Sequence, residues 1–343
     1  MSAADAAGGP AVVSLGEVLV DFVALDNALP LDEATAFHRA PGGAPANVAV
    51  ALARLGIPAS FLGKIGGDAF GRSLRQTLER EGVDLRGLVE DPTARTALAF
   101  VGSDGHDGRR FVFYDAGMAH TLLRPEDLNR ELIAQAAVFH FGSVTLAAEP
   151  SRQATLTAVR YAREHGCLVS FDPNVRLEVW ESPGRALDSI VEAMKLADVV
   201  KVSGDELTFL TATSDVAEAC HRLREHGPAL VVVTLGADGC LYESIASRGH
   251  VPSVPVEIVD TLGAGDAFVA GLLASLARQG AGMIGDEQAL CSALRFANGV
   301  AAITTTRYGA IPALPTRTQV EQLLDQSHSA TSSTPADALE STL

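Results

Sequence analysis

The sequence predicts an α/β fold: a doubly wound, mainly parallel sheet with helices on both faces, and a small β lid outside it. Three observations carry this. Past residue 130, short apolar runs of strand length alternate with segments of helix length, the pattern of successive βα units. Two of those helices end in the same words, REHG at 163–166 and 224–227, and a strand-forming run follows each at once. In the first third, by contrast, TALAFVGSDGHDGRRFVFYD (96–115) reads as two strands joined by a Gly/Asp-rich turn, which is hairpin material foreign to a parallel sheet.

Taken in order, AVVSLGEVLVDFVALD (11–26) starts as a buried strand and then alternates. Strands near 18–25, 35–40, 96–102 and 110–115 are expected outside the main sheet, in lid segments spanning 18–40 and 96–117. AAVFHFGS (136–143) precedes a helix from about Pro150 to His165, and CLVSFDPN (167–174) one around 183–197. DVVKVSGDE (198–206) leads to a helix through about 226, and ALVVVTLGADG (229–239) follows. Gly166 and Gly227 fit C′ stops with basic residues on the last turn, so His165 and His226 are read as structural rather than metal-binding. The ends, 1–10 and the Ser/Thr/Ala-rich 327–343, are expected to be disordered, leaving one domain over 11–320.

The chain has 343 residues, 47% of them hydrophobic, with a formal charge of −16. No basic cluster exceeds Gly108–Arg110, which argues against nucleic acid as a partner. No apolar run reaches membrane-spanning length, and MSAADAAGGP lacks the basic start and apolar core of a signal peptide. Cys167, Cys220, Cys240 and Cys291 are scattered without a CxxC, so buried reduced thiols and a cytoplasmic location are expected.

VDTLGAGDAFVAGLLASLA (259–277) carries the chemistry. Its Asp266 stands alone at the head of an apolar helix, where a carboxylate is either an N-cap or a reactive group. The GAGD turn exposes successive backbone N–H groups at the positive end of the helix dipole, a place for a phosphate. The turn lacks the lysine of a P-loop and is not a GxGxxG fingerprint. An aspartate beside an anion hole is awkward as a cap, but facing a substrate hydroxyl it can accept the proton while the amides stabilise a transferring phosphoryl group. A second loop, APGGAPANVAVALARLG (40–56), sets Gly42 and Gly43 before Asn47 at a helix entry. Backbone access with an amide side chain suits a polyol, and Asp21 adds an acceptor for hydroxyls.

These motifs resemble the ribokinase-like (PfkB) carbohydrate kinases, and within them the fructokinase branch. GGAPANVAVALARLGIPASFLGKIGGDAFG (42–71) is similar to the first signature of that family and DTLGAGDAF (260–268) to its second. FHFGSVTL (139–146), SFDPNVR (170–176), KVSGDE (201–206), VTLGADG (233–239) and RFANGVAAITTTRYGAIPALPT (295–316) follow in the family's order, so the resemblance spans about 11–320. It implies a ribokinase-like three-layer fold and ATP-dependent transfer to the primary 6-hydroxyl of D-fructose. Asp266 would be the base, with Gly263, Ala264 and Gly265 as the anion hole. Asp21, Gly42, Gly43, Asn47, Phe100 and Arg176 would meet the sugar. Ser203, Glu206, Thr234, Gly236, Gly239 and Asn298 would meet ATP, with Glu206 organising Mg²⁺ through water and Asp260 at a K⁺ position. A homodimer through lid strands, with Val112 and Phe113 on the apolar faces, is also expected.

Two departures from the branch stand together: Asp115 replaces a usual Arg and His120 a usual Asp, which bears on the sugar. Leu262 replaces a frequent Thr, a change that a backbone role survives. The alternatives are a kinase for 2-keto-3-deoxygluconate or a related sugar acid, whose carboxylate Arg176 would welcome, and a catalytically silent sugar-binding regulator, which would have no use for Asp266. Amides and Mg²⁺ beside Asp266 predict a depressed pKa.

Overall fold

The structure, a computed structural model, describes residues 11–26, 29–103 and 109–332. The chain opens with β1 (Val12–Leu15), β2 (Leu19–Ala24), β3 (Phe37–Gly42), α1 (Ala44–Arg54), β4 (Ala59–Gly66), α2 (Ala69–Arg80) and β5 (Asp84–Asp91). The hairpin strands β6 (Leu98–Ser103) and β7 (Arg109–Tyr114) follow. Then come α3 (Arg130–Ala134), β8 (Val138–Gly142), α4 (Ser151–Glu164), β9 (Leu168–Asp172), α5 (Pro183–Met194) and β10 (Val199–Ser203). The last third holds α6 (Leu207–Thr211), α7 (Val216–Glu225), β11 (Leu230–Thr234), β12 (Cys240–Ser244), β13 (Arg248–Val251), α8 (Ala264–Gln279), α9 (Glu287–Thr304) and α10 (Arg317–Ser332).

Nine strands form the main sheet in the order β13-β12-β11-β10-β9-β8-β1-β4-β5. The seven from β11 to β5 run parallel, and β12 and β13 are added antiparallel at one edge. Period two then sorts the apolar side chains into two layers. Val199, Leu230 and Val232 pack with α1, α8 and α9, whereas Val200, Val202, Val231 and Val233 pack with α4, α5 and α7. Strands covered on both faces read as continuous β-branched runs, which is why LVVVT is legible as a central strand. Gly166 and Gly227 close their helices with φ of 76° and 123°, as the REHG words imply.

The segment 11–26 splits as its change of pattern predicts: β1 enters the main sheet and β2 enters a separate four-stranded sheet, order β3-β2-β6-β7. The turn between β6 and β7 at 104–108 lies outside the described residues, as do the 1–10 and 333–343 parts of the expected tails. The C-terminal expectation is corrected over 327–332, because α10 runs on to Ser332. The single helix expected through 226 is two, divided at Ala212, which adopts a left-handed φ of 56°. Cys167, Cys220 and Cys240 are buried and free, while Cys291 is half-buried. No helix among the described residues is long and apolar enough to cross a membrane.

Candidate active site

The parallel strands deliver their C-terminal ends to one rim of the sheet, where an open α/β sheet presents its loops. The head of α8 faces that rim. Gly263 is its N-cap with φ 79°, a left-handed turn no side chain would share with Ala310, which lies 2.7 Å from where a Cβ would stand. Ala264 N–H turns back to the Thr261 carbonyl at 3.3 Å and Ala267 N–H bonds to Gly263 O at 2.9 Å. Helix geometry leaves the Gly265 and Asp266 amides pointing out of the first turn. Asp266 is therefore no cap. It sits inside the helix, 8% exposed, with Oδ2 accepting from Asn47 Nδ2 at 2.8 Å.

Lys201 completes this corner. It is 6% exposed on β10, and a methyl on Gly265 would come to 3.1 Å from its Nζ. Nζ donates to Asp172 Oδ2 at 3.1 Å, at the end of β9. Burial works against its charge, but Asp172, Glu206 and Asp266 outweigh it and raise the ammonium pKa. The result is a fixed cation beside the outward amides, a ready seat for a phosphoryl group.

Asp266 itself overturns the expectation of a depressed pKa. Burial is the largest influence and pushes the carboxyl up to about 6; Asp172 adds to the rise, and the Asn47 hydrogen bond, Lys201 and Arg176 only partly oppose it. The amides lie on the helix axis, but the side chain is enclosed, and desolvation of a carboxylate exceeds the help of a helix end. A base poised near neutral pH is a stronger proton acceptor than the sequence suggested.

Around it lie the residues expected to meet the sugar. Asp21, on β2, is 8% exposed and packs so closely on Gly42 that a Cβ there would fall 2.0 Å from its Oδ2. Burial, then the charge of Asp266, raises Asp21 to about 7. Asn47 points in from α1, whose N-cap is Gly43. Arg176, after β9, donates to Val175 O at 2.9 Å and lies 4.9 Å over the Phe111 ring of β7, so it ties the rim to the small sheet. Phe100 is not brought here. Alternation along β6 turns it to the face opposite Asp21, where it stacks on Phe22 at 5.2 Å and lines an outer hollow of about 410 Å³ with Phe37, Val112 and Tyr114. Val112 and Phe113 accordingly lie on opposite faces.

The residues expected to meet ATP lie mostly on loops. Glu206 Oε2 accepts Ser203 N–H and Oγ–H at 2.7 and 2.8 Å, and Oε1 accepts Val175 N–H at 2.7 Å. Thr234, Gly236 and Gly239 form the β11–β12 turn, with Thr234 Oγ1 on Val202 O at 3.3 Å. Asn298 is buried on α9 and spends Nδ2 on the Val251 and Pro252 carbonyls, both at 3.1 Å. Asp260 clamps Leu262 N–H and Gly309 N–H at 2.9 and 2.8 Å, so the Leu262 contact here is made by its backbone. Among the described residues no three acidic, His or Cys side chains form a metal cluster. Asp115 and His120 lie 4.0 Å apart, with His120 buried and held near pKa 4 by that burial, and among the described residues neither ring nitrogen has a hydrogen-bond partner.

Sequence reasoning missed Lys201, Asp172 as its partner, and Glu17, a buried carboxyl at the β1–β2 junction raised to about 7 chiefly by burial. Each had a signal: a charge set within an otherwise apolar strand run.

Comparison with known proteins finds relatives over nearly the whole chain. The model of the pfkB family carbohydrate kinases matches residues 10–317. Fructokinase-1 of Zea mays is 48% identical over 322 residues, covering 94% of this chain and 99% of its own. Fructokinase-1 of Oryza sativa subsp. japonica is 49% identical over 315 residues, 92% and 97% respectively. Among solved structures, fructokinase from Xylella fastidiosa with bound ATP superposes with a TM-score of 0.83 at 35% identity, covering 92% of this chain and 98% of that one. Fructokinase from Vibrio cholerae with fructose, ADP and calcium ion gives 0.82 at 38%, covering 91% and 98%. The chain belongs to the pfkB family of carbohydrate kinases.

Proposed function

We propose that this chain is an ATP-dependent fructokinase, moving the γ-phosphoryl group of ATP to the 6-hydroxyl of D-fructose to give fructose 6-phosphate and ADP. One observation carries the reading most: a buried carboxylate raised to about 6, held by Asn47 at the head of α8, with Lys201 and two outward amides beside it. The sugar hydroxyl gives its proton to Asp266 as its oxygen bonds to the γ-phosphorus and the bond to the ADP oxygen breaks. The Gly265 and Asp266 N–H groups and the Lys201 ammonium take up charge on the transferring group. Asp21, Asn47 and the Gly42–Gly43 backbone hold the sugar hydroxyls, Arg176 closes the pocket, and the small sheet acts as the lid.

Mg²⁺, when bound with ATP, would neutralise phosphate charge, with Glu206 meeting its waters. A K⁺ ion near Asp260 is part of the proposal, in keeping with a double-mutant form of the Vibrio cholerae enzyme described with fructose, ADP and potassium ion. So are a cytoplasmic location and a homodimer through the outer apolar face of the small sheet, where Tyr114 is 61% exposed. A silent sugar sensor has no use for a base tuned toward neutrality. The test is ATP consumption with fructose, ketodeoxygluconate, ribose and glucose. Fructose should give the highest kcat/KM; preference for the sugar acid would overturn the assignment.

A further inference from the structure

Glu17 stands where β1 leaves the main sheet and the chain enters β2. It is 4% exposed, and the roles above do not use it. Its Oε1 accepts the N–H of Ala44, the first residue of α1, at 3.0 Å. That helix has a glycine at its N-cap and no capping side chain, so Glu17 supplies from 27 positions away the acceptor that a cap residue would. The two chain segments are packed without slack. A methyl on Gly43 would lie 2.5 Å from the Glu17 carbonyl oxygen, and one on Gly16 would lie 2.3 Å from Pro45 Cγ. One turn into the same helix, Asn47 holds Asp266 at 2.8 Å. Asp266 and Glu17 also feel each other's charge. Among the described residues Glu17 Oε2 and Asn47 Oδ1 are buried without a hydrogen-bond partner, so the Ala44 and Asp266 contacts are the links between these side chains and the elements they join.

We infer that Glu17 is a positioning residue for phosphoryl transfer. By capping α1 from the strand junction, it fixes the Asn47 amide against the Asp266 carboxylate. It touches none of the reacting atoms and acts through Asn47; the inference rests on the kinase reading above.

A mutant cycle on the full-length enzyme tests it, with rates taken on whichever sugar the wild type phosphorylates fastest, so that a wrong sugar assignment leaves the comparison standing. Glu17→Ala should lower kcat by up to about 10²-fold, the scale on which small misplacements act, with KM for ATP little changed. Glu17→Gln, whose Oε1 can take the same N–H, should recover most of that loss. In an Asn47→Ala background Glu17→Ala should cost little more, because the path it acts through is already gone. If Glu17→Ala does not fold, Glu17→Met, which fills the space without an acceptor, carries the same comparison. A wild-type kcat in the Ala or Met variant overturns the inference, and so do losses that multiply with that of Asn47→Ala.

Discussion

The two halves of the cleft are built on opposite plans. On the side proposed for the sugar, Glu17, Asp21 and Asp266 are buried carboxyls pushed toward neutrality, and among the described residues Glu17 Oε2 and Asn47 Oδ1 have no hydrogen-bond partner. Among the residues proposed to meet the nucleotide, Glu206 makes three hydrogen bonds, two to Ser203 of its own loop and one to Val175 after β9, and Asn298 is spent on two backbone carbonyls. Buried polar groups left unpaired are costly, whereas satisfied ones rigidify the segment that holds them. The difference teaches where each kind of specificity resides. On the proposed reading, the sugar half keeps side chains unsatisfied for a ligand, and the nucleotide half uses side chains to shape a backbone that a phosphate or ribose would lie against.

The largest break of that contrast is Asp266→Asn. It should lower kcat by about 10²–10⁴-fold with both KM values near wild type, read in a coupled assay of ADP release. Folding should not suffer. The carboxyl titrates at about 6 when folded against 3.8 otherwise. The stability due to its protonated form is therefore complete below pH 3.8 and lost as pH rises through 6. At pH 8 the ionised group costs on the order of 3 kcal/mol, which the amide removes, so the variant should melt at or above the wild-type temperature.

Next in size, Asp21→Ala should raise KM for fructose about tenfold to a hundredfold, the worth of hydrogen bonds to a charged group, with kcat less affected. Glu206→Gln weakens charge-assisted bonds that shape the nucleotide loop and should raise KM for ATP by about fivefold, leaving KM for fructose unchanged. Smallest on turnover is Asn298→Ala. It orphans the Val251 and Pro252 carbonyls and should lower stability by about 1–3 kcal/mol in urea melts while kcat holds. A large loss of kcat in that variant would place Asn298 with the sugar-side residues instead.

Much of the fold was legible because glycine stops and strand periods are local signals. REHG marks two helix ends, and the change from a continuous to an alternating pattern within 11–26 marks the passage from one sheet to the other. The candidate site was legible as loops that the fold brings to one rim, and less so in its energetics. The sign of the Asp266 shift depends on enclosure by α1, β10 and the β9 loop, segments distant in sequence, so the nearby amides were given too much weight. Phe100 failed for a simpler reason: a side chain's face in a strand turns on a register of one residue, and alternation sends it outward. Lys201 and Glu17 were open to detection, since DVVKVS and SLGEVLV each bury a charge that must have a use. The end of α10 was not, because 327–332 is Ser/Thr/Ala-rich with only a faint period.

The central claim is that Asp266 is the proton acceptor, tuned by burial and held by Asn47. It is tested most directly by the pH dependence of kcat/KM for fructose, which reports the free enzyme. The wild type should lose rate below a limb near pH 6, where Asp266 takes up its proton. Because the Asn47 hydrogen bond favours the ionised form, Asn47→Ala should move that limb to higher pH. A profile flat down to pH 5, or a limb that stays in place when Asn47 is removed, would contradict the account.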